Sequence, residues 1–508
     1  MLKPFHLAAA VGAIAALGGF AVASANSLPP PRPAFDQLRL PVGRAVPWQP
    51  VNMRYTRAYW QPVNHAPPFA ANGAGTALLL TDGTVMVHDN FANWYKLTPD
   101  AFGSYINGTW SQAASLPAGY APLYYASAVL PDGRLVINGG EYNFGRTAET
   151  TLGAIYDPVA NAWTSLAPPP HWQAIGDAQS VVLANGTYML GNCCTKRQAL
   201  LDARTLTWHT VGRGKADVNS EESWTLLADG SVLAADVGLP LQSERYVPSA
   251  RMWSTAGNTV TNLVAFYEIG SQVLRPNGTV FVSGASGNTA IYDSTSATWA
   301  PGPSFPNSPQ QLDVADGPGA LLPDGNVLVV ASPGAYQSPS SFFEFDGTNL
   351  IPVAQTPNAP NDPSFAFRFL VLPNGQMLST DGSNDVEVYT HVGRPNPAWA
   401  PTISAVPTSL VHGRSYVVAG VHLNGLSQSS FYGDDASEAT NYPLVRITNA
   451  RTHHVFYART HDHSSMAVAY PGTVRTHFDV PATIETGAAR LVVVANGIAS
   501  MPVSVTIH

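Results

Sequence analysis

The stretch "YYASAVLPDGRLVINGGEYNFG", Tyr124 to Gly145, decides the fold. Apolar and small residues run to Leu130, the chain reverses at Pro131-Asp132-Gly133, and a second apolar run ends in a glycine pair. Asp-Gly between two such runs is a strong β-hairpin signal. The same hairpin recurs as "LLLTDGTVMV", "VVLANGTYML", "TLLADGSVLA", "QVLRPNGTVF", "ALLPDGNVLV" and "LVLPNGQMLS". The turn Asp or Asn falls at 82, 132, 185, 229, 277, 324 and 374, so the spacing runs from 44 to 53 residues.

A second element follows the turn in the middle copies: "AIYDPVANAW", "ALLDARTLTW", "ERYVPSARMW" and "AIYDSTSATW". Each copy therefore reads as strand, hairpin, strand, longer loop, strand, turn and a strand beginning near Trp. A period near 50 with four strands per unit is the pattern of propeller blades, and seven copies predict seven blades. A stack of unrelated hairpins does not account for the recurring Tyr-Asp to Trp spacing.

Composition agrees with many short strands joined by turns. Of 508 residues only 11% are charged, while Gly and Pro number 43 each. The net charge of -8 argues against a nucleic-acid partner, which needs a basic face. At the N-terminus, Lys3 precedes the apolar run "LAAAVGAIAALGGFAVA", and Ala23-Ser24-Ala25 fits a cleavage site before Asn26. The expectation is a signal peptide over 1–25, a secreted or periplasmic mature protein, and no membrane span after cleavage. Residues 26–57, with "LPPPRPAF" and "VPWQP", read as a Pro-rich extended leader, and 58–399 as the propeller. Ring closure needs a strand from around Arg57 to Val63 or from beyond "PNPAW". From 400 to 508 about seven short alternating strands predict a β-sandwich of immunoglobulin-like size.

Blade repeats, domain order and the segments "APTISAV", "GRSYVVAG" and "FYGDDASEATNYPL" resemble the galactose oxidase and glyoxal oxidase family, a kelch-type propeller followed by an early-set sandwich. The resemblance implies a copper ion on the propeller axis, held by two tyrosines and two histidines, one tyrosine being cross-linked to a cysteine. Carried over position by position, the cross-linked tyrosine falls at Tyr124 and its cysteine at Ala74. The stacking aromatic falls at Tyr142, the Tyr-His pair at Phe365-Ala366, and the sandwich histidine at Ser437. With one ligand-type residue of that set present, copper-radical oxidation is not expected.

The position eight residues before each turn is axis-facing, and through the seven copies it reads Ala74, Tyr124, Asp177, Glu221, Ile269, Asp316 and Ala366. Glu268 sits one residue earlier, with Glu222 and Asp313 close by. Equal offsets in a rotational repeat lie at equal height around the axis, so Asp177, Glu221 and Asp316, with Glu268 and Tyr124, are expected to share one solvent-accessible site. Converging carboxylates raise one another's pKa or recruit a cation, and oxygen donors suit calcium or magnesium. The alternative is that each carboxylate caps local backbone amides. Lys196 and Arg197 in "CCTKRQ", Lys215, and Arg368 are the basic residues placed to offset the charge, either for general acid–base work or as salt bridges between blades 3 and 4.

Two further features carry chemistry. In "YARTHDHSSM", His461 and His463 alternate onto one strand face and are candidate metal ligands, or else a polar interface patch. Cys193 and Cys194 are adjacent and form either a vicinal disulfide or a thiol pair in a turn. Two functional readings follow. One is an exported protein that binds a glycan or cell-surface polymer. The other is a non-copper lyase, isomerase or hydrolase of carbohydrate using Asp177, Glu221, Asp316 and Tyr124. An enzyme predicts an open polar pocket at those residues, and a binding module an aromatic face.

Overall fold

The computed structural model describes residues 58–69, 73–429, 431–432 and 437–508. The expected signal segment and Pro-rich leader lie outside them. The described residues hold strands, two short 3-10 turns and no α-helix. None of their helices is long and apolar enough to cross a membrane.

Residues 58–390 form seven four-stranded antiparallel sheets and one small three-stranded sheet of Pro122–Leu123, Tyr142–Asn143 and Arg146–Thr147. The innermost strands of the seven larger sheets are Ala77–Leu79, Ala126–Val129, Ser180–Val182, Ser223–Leu226, Gln272–Leu274, Gly319–Leu321 and Arg368–Val371. Each innermost strand touches the next, and the last touches the first, so the sheets close into a ring of blades around one axis. The seventh blade takes its outer strand, Tyr59–Pro62, from the N-terminal side, paired antiparallel to Val386–Thr390. The first and last parts of the ring are thereby joined in one sheet.

The hairpins are locally determined. In all seven, the turn Asp or Asn accepts the backbone N–H two residues on: Thr84, Arg134, Thr187, Ser231, Thr279, Asn326 and Gln376. The residue between them is always glycine, at φ of +78 to +90°, a conformation that costs other residues a Cβ clash. Blades are then stapled to one another by the recurring tryptophans. Trp163 Nε1 donates to Ala114 O, Trp208 Nε1 to Ala167 O and Trp299 Nε1 to Ala256 O, at 3.0, 2.7 and 3.1 Å. Tyr156, Tyr246 and Tyr292 pack on Trp163, Trp253 and Trp299 at 5.0–5.6 Å. The Tyr-to-Trp spacing in the sequence is therefore the spacing of a buried ring pair across two strands.

Beyond Thr402 seven longer strands and two short ones build a second unit with its own core, including Val418, Val445, Ile447, Phe478, Leu491 and Val493. It packs on the hairpin end of the propeller. Thr460 N donates to Thr81 O, His463 N to Pro131 O, Arg459 Nη2 to Asp132 O and Met466 N to Ala184 O, at 3.0–3.1 Å. One of its segments reaches the innermost strands. Gln428–Ser429 pair with Leu274 and Val273, Phe431–Tyr432 with Trp224 and Ser223, and Ser437–Glu438 run parallel to Phe369–Leu370. The opposite end of the axis, where the innermost strands begin, is called here the entry end.

Candidate functional site

Strand alternation fixes what reaches the entry end. In an antiparallel blade the residues just before the innermost strand, and the loop between the second and third strands, lie at the same end. Glu221, Glu268 and Asp316 precede the innermost strands of blades 4, 5 and 6. Their carboxylate oxygens lie within 4.8 Å of one another, and all three residues are at most 1% exposed. Glu221 and Asp316 hold left-handed backbone, at φ +58° and +55°, and so does Tyr124 at +56°. Non-glycine residues adopt that conformation at a cost of about 1–3 kcal/mol when the surroundings over-determine it.

A chain of contacts joins the carboxylates to the aromatic side of the ring. Tyr336, on the second loop of blade 6, donates its hydroxyl to Glu268 Oε1 at 2.5 Å. Its ring meets Phe365 edge-on at 5.2 Å. Arg368 Nη1 donates to Phe365 O and Phe367 O at 2.7 and 3.0 Å. The Arg368 guanidinium then lies 5.6 Å over the Tyr124 ring, which packs on Tyr142 at 6.1 Å. Near Asp316, Asp313 accepts Gly334 N–H at 2.9 Å, and burial pushes its carboxyl up to about 7.

The structure departs from the sequence expectation in four respects. The carboxylates converge but are buried rather than solvent-accessible, because Tyr336 and the neighbouring loops close over them. Asp177 is buried too, yet stands outside the three-carboxylate group. Lys196 and Arg197 are exposed, and Lys196 Nζ donates to Ala216 O instead of meeting the acids. Arg368 stands at this end of the axis as expected, where its guanidinium also donates to two backbone carbonyls and lies over the Tyr124 ring. Lys215 serves Glu222, not Glu221, and its ion pairs stay within blade 4 rather than welding it to blade 3.

That Lys215 cluster is a second buried charge centre. Its ammonium lies 2.7 Å from Glu222, 2.5 Å from Glu244 and 3.7 Å from Asp236, with Trp253 at 5.1 Å. The three carboxylates raise the Lys215 pKa against the lowering effect of burial. Burial pushes Asp236 up to about 7 despite the Lys215 charge, and Glu222 is raised by the same cause.

His461 and His463 sit at the unit interface, not in a metal group. His461 lies 2.7 Å from Asp462 and 3.2 Å from Asp479 and stacks on His477 at 5.5 Å. His463 meets the Thr476 hydroxyl at 2.7 Å, and burial pulls its pKa down to about 3. Among the described residues, neither belongs to a group of three ligand-type side chains. Cys193 and Cys194 are joined in a disulfide in the second loop of blade 3.

Tyr336 and Glu149, which lies against the cysteines, carry no signal in the repeat, since both come from loops of variable length. The entry end also exposes Phe91, Phe144, Phe266 and Tyr267, with Phe91 and Phe144 in edge contact at 5.2 Å. Two clefts of about 300 and 270 Å³ lie elsewhere, at the turns of blades 3 and 4 and at the 449–451/486–488 edge of the second unit.

As oxygen donors, Glu221, Glu268 and Asp316 fit a hard cation such as calcium better than copper. At about 4 Å and an effective dielectric near 20, each ionised pair costs roughly 4 kcal/mol, a repulsion that a protein counter-charge, a bound cation or a shared proton offsets.

No family model matches the chain. It is 30% identical over 129 residues to the Kelch-like protein terF of Aspergillus terreus, a stretch covering 24% of this chain and 26% of that protein. The chain thus spans about a quarter of the curated relative it matches. Among solved structures, a fungal alcohol oxidase of the AA5 family in complex with copper superposes with a TM-score of 0.51 at 13% identity, over 89% of this chain and 99% of that one. A catalytically inactive virginiamycin B lyase from Staphylococcus aureus with quinupristin gives 0.49 at 8% identity, over 66% of this chain and 100% of that one. The fold is a kelch-type β-propeller. At 13% identity the copper enzyme speaks for architecture alone, and the chemistry has to come from the residues.

Proposed function

We propose that this chain is an exported binding protein whose entry end takes up a glycan or cell-surface polymer, on a galactose-oxidase-like frame without copper-radical chemistry. The observation that carries this reading is the contrast at that end. Glu221, Glu268 and Asp316 are at most 1% exposed, while Phe91, Phe144, Phe266 and Tyr267 stand in solvent. Exposed aromatic rings on a rim are the surface that the apolar faces of sugar rings stack on. The buried carboxylates then brace the axis beneath them.

The alternative, a non-copper carbohydrate-active enzyme, requires those carboxylates to touch substrate, and their burial weighs against it. Export rests on the Lys3-to-Ala25 segment. N-terminal sequencing of the mature protein should begin at Asn26.

A glycan array on purified protein tests the binding reading, followed by the double variants Phe91→Ala/Phe144→Ala and Phe266→Ala/Tyr267→Ala. Binding should fall at least tenfold in one of them and persist in Glu221→Gln. Retention in both aromatic variants, or loss in Glu221→Gln alone, would reject it.

A further inference from the structure

The Cys193–Cys194 disulfide lies against a carboxylate that it gives nothing to bond. Glu149 Oε2 is 3.4 Å from Cys193 Sγ and 4.0 Å from Cys194 Sγ. A disulfide sulfur carries no hydrogen, so neither contact is a hydrogen bond in the oxidised form. The three ligand atoms nonetheless lie within 4.8 Å of one another. Tetrahedral zinc, with bonds of about 2.0–2.3 Å, holds its ligand atoms about 3.3–3.8 Å apart. Both carboxylate-to-sulfur distances are already close to that range, and only the two sulfurs need to part.

The surroundings keep the space and hold the loop. Gly176, at φ +66°, passes beside the cluster, and a Cβ there would sit 2.2 Å from Glu149 Oε2 and 2.6 Å from Cys193 Sγ. Cys193 N donates to Ile175 O at 3.0 Å, and Cys194 N to Asn192 Oδ1 at 3.3 Å. The buried Asn219 amide donates to Asn192 O, Thr195 O and Arg197 O at 2.7–3.1 Å, pinning both ends of the loop. None of these bonds uses a sulfur, so the loop keeps its anchors when the disulfide opens. Cys194 is partly exposed and open to attack by a reductant.

We propose that reduction of Cys193–Cys194 converts Glu149, Cys193 and Cys194 into a three-ligand site for zinc or another thiophilic divalent cation. The first step is thiol–disulfide exchange with a dithiol. Two electrons and two protons pass to the cysteine sulfurs, the S–S bond breaks, and the dithiol leaves as its own disulfide. The second step is metal capture, in which both thiol protons go to solvent and two thiolates and the carboxylate bind the cation. A borderline-soft ion suits this sulfur-rich set, whereas the all-oxygen group at Glu221 does not. The fourth position stays open to solvent, as in zinc sites that do more than brace a fold.

The test uses the full-length protein, oxidised or reduced with a phosphine that is then removed, and cadmium as the probe. The reduced form should bind one equivalent, with a thiolate-to-cadmium ultraviolet band absent from the oxidised form. Zinc should displace it. Glu149→Gln should weaken binding at least tenfold while leaving two titratable thiols, and Cys194→Ser should abolish the band. The Cys193→Ser/Cys194→Ser variant, checked by near-ultraviolet circular dichroism, separates ligand loss from unfolding, and it should stay folded and bind nothing. A reduced protein that captures no cadmium, an unchanged affinity in Glu149→Gln, or collapse of the near-ultraviolet signal on reduction each overturns the proposal.

Discussion

Glu221 and Glu222 are successive residues whose carboxylates serve two different clusters. Glu221 joins Glu268 and Asp316 on the axis, whereas Glu222 turns into blade 4 and meets Lys215 at 2.7 Å. Glu221 holds left-handed backbone at φ +58° just before the strand Ser223–Leu226, and the chain's turn there sends the two side chains apart, so one dipeptide feeds both buried charge centres. The two centres should therefore respond separately to mutation.

Among the described residues, Lys215 is the cation paired with Glu222, Asp236 and Glu244, and its side chain has no solvent exposure. Removing it leaves buried carboxylates without a counter-charge. Lys215→Met should lower unfolding free energy by about 3–5 kcal/mol at pH 8. The loss should shrink toward pH 5, where Asp236, raised to about 7, takes up a proton. Urea unfolding at the two pH values checks this.

Asp313 gives a pH dependence of defined sign. Its folded-state carboxyl is pushed up from 3.8 to about 7 by burial, with only Gly334 N–H opposing. Between pH 4 and 7 the folded protein keeps a proton that the unfolded chain releases. This group's contribution to stability therefore falls as pH rises through that window, by at most about 1.4 kcal/mol per pH unit, and levels off above it. Asp236 and Glu387, each raised to about 7, add in the same direction. Asp313→Asn should flatten the slope and be more stable than the parent at pH 8, as read from urea midpoints. An unchanged slope would show that Asp313 is ionised throughout.

Copper chemistry gives a negative prediction. Tyr124 packs on Arg368 and Tyr142, and by the resemblance to the galactose oxidase family the other ligand positions fall at Ala74, Phe365, Ala366 and Ser437. Copper-loaded protein should show no tyrosyl radical by electron paramagnetic resonance and no peroxide from galactose or glyoxal. Peroxide above a no-protein control would mean that other residues hold an active copper.

How much the sequence discloses depends on the range of the interaction. The hairpins are legible because Asp132 and Gly133 make their turn from bonds within four residues. The meeting of Glu221 and Asp316 is legible because equal offsets in a ring become equal heights. Glu268 reaches the same place from one residue earlier, an adjustment the repeat allows but does not specify. Lys215 illustrates the limit. Its distance in sequence from Glu221 and from Glu222 differs by one residue, and the left-handed backbone at Glu221, which the repeat does not announce, decides between them. Tyr336 comes from a loop whose length no repeat sets. Whether adjacent Cys193 and Cys194 are bonded depends on backbone geometry, not on composition.

The axis carboxylates support the last prediction. Three ionised groups with oxygens within 4.8 Å of one another repel, and low exposure removes most of the water that would screen them. A hard divalent cation would relieve the repulsion through all three groups at once, since oxygen ligands from separate strands match its flexible coordination. Calcium should accordingly raise the melting temperature of the parent protein, in proportion to the logarithm of its concentration above the dissociation constant. Glu221→Gln removes one charge while keeping the side chain's volume, so it should weaken calcium binding by tenfold or more in a calorimetric titration. Equal calcium affinity in parent and variant would place the cation elsewhere.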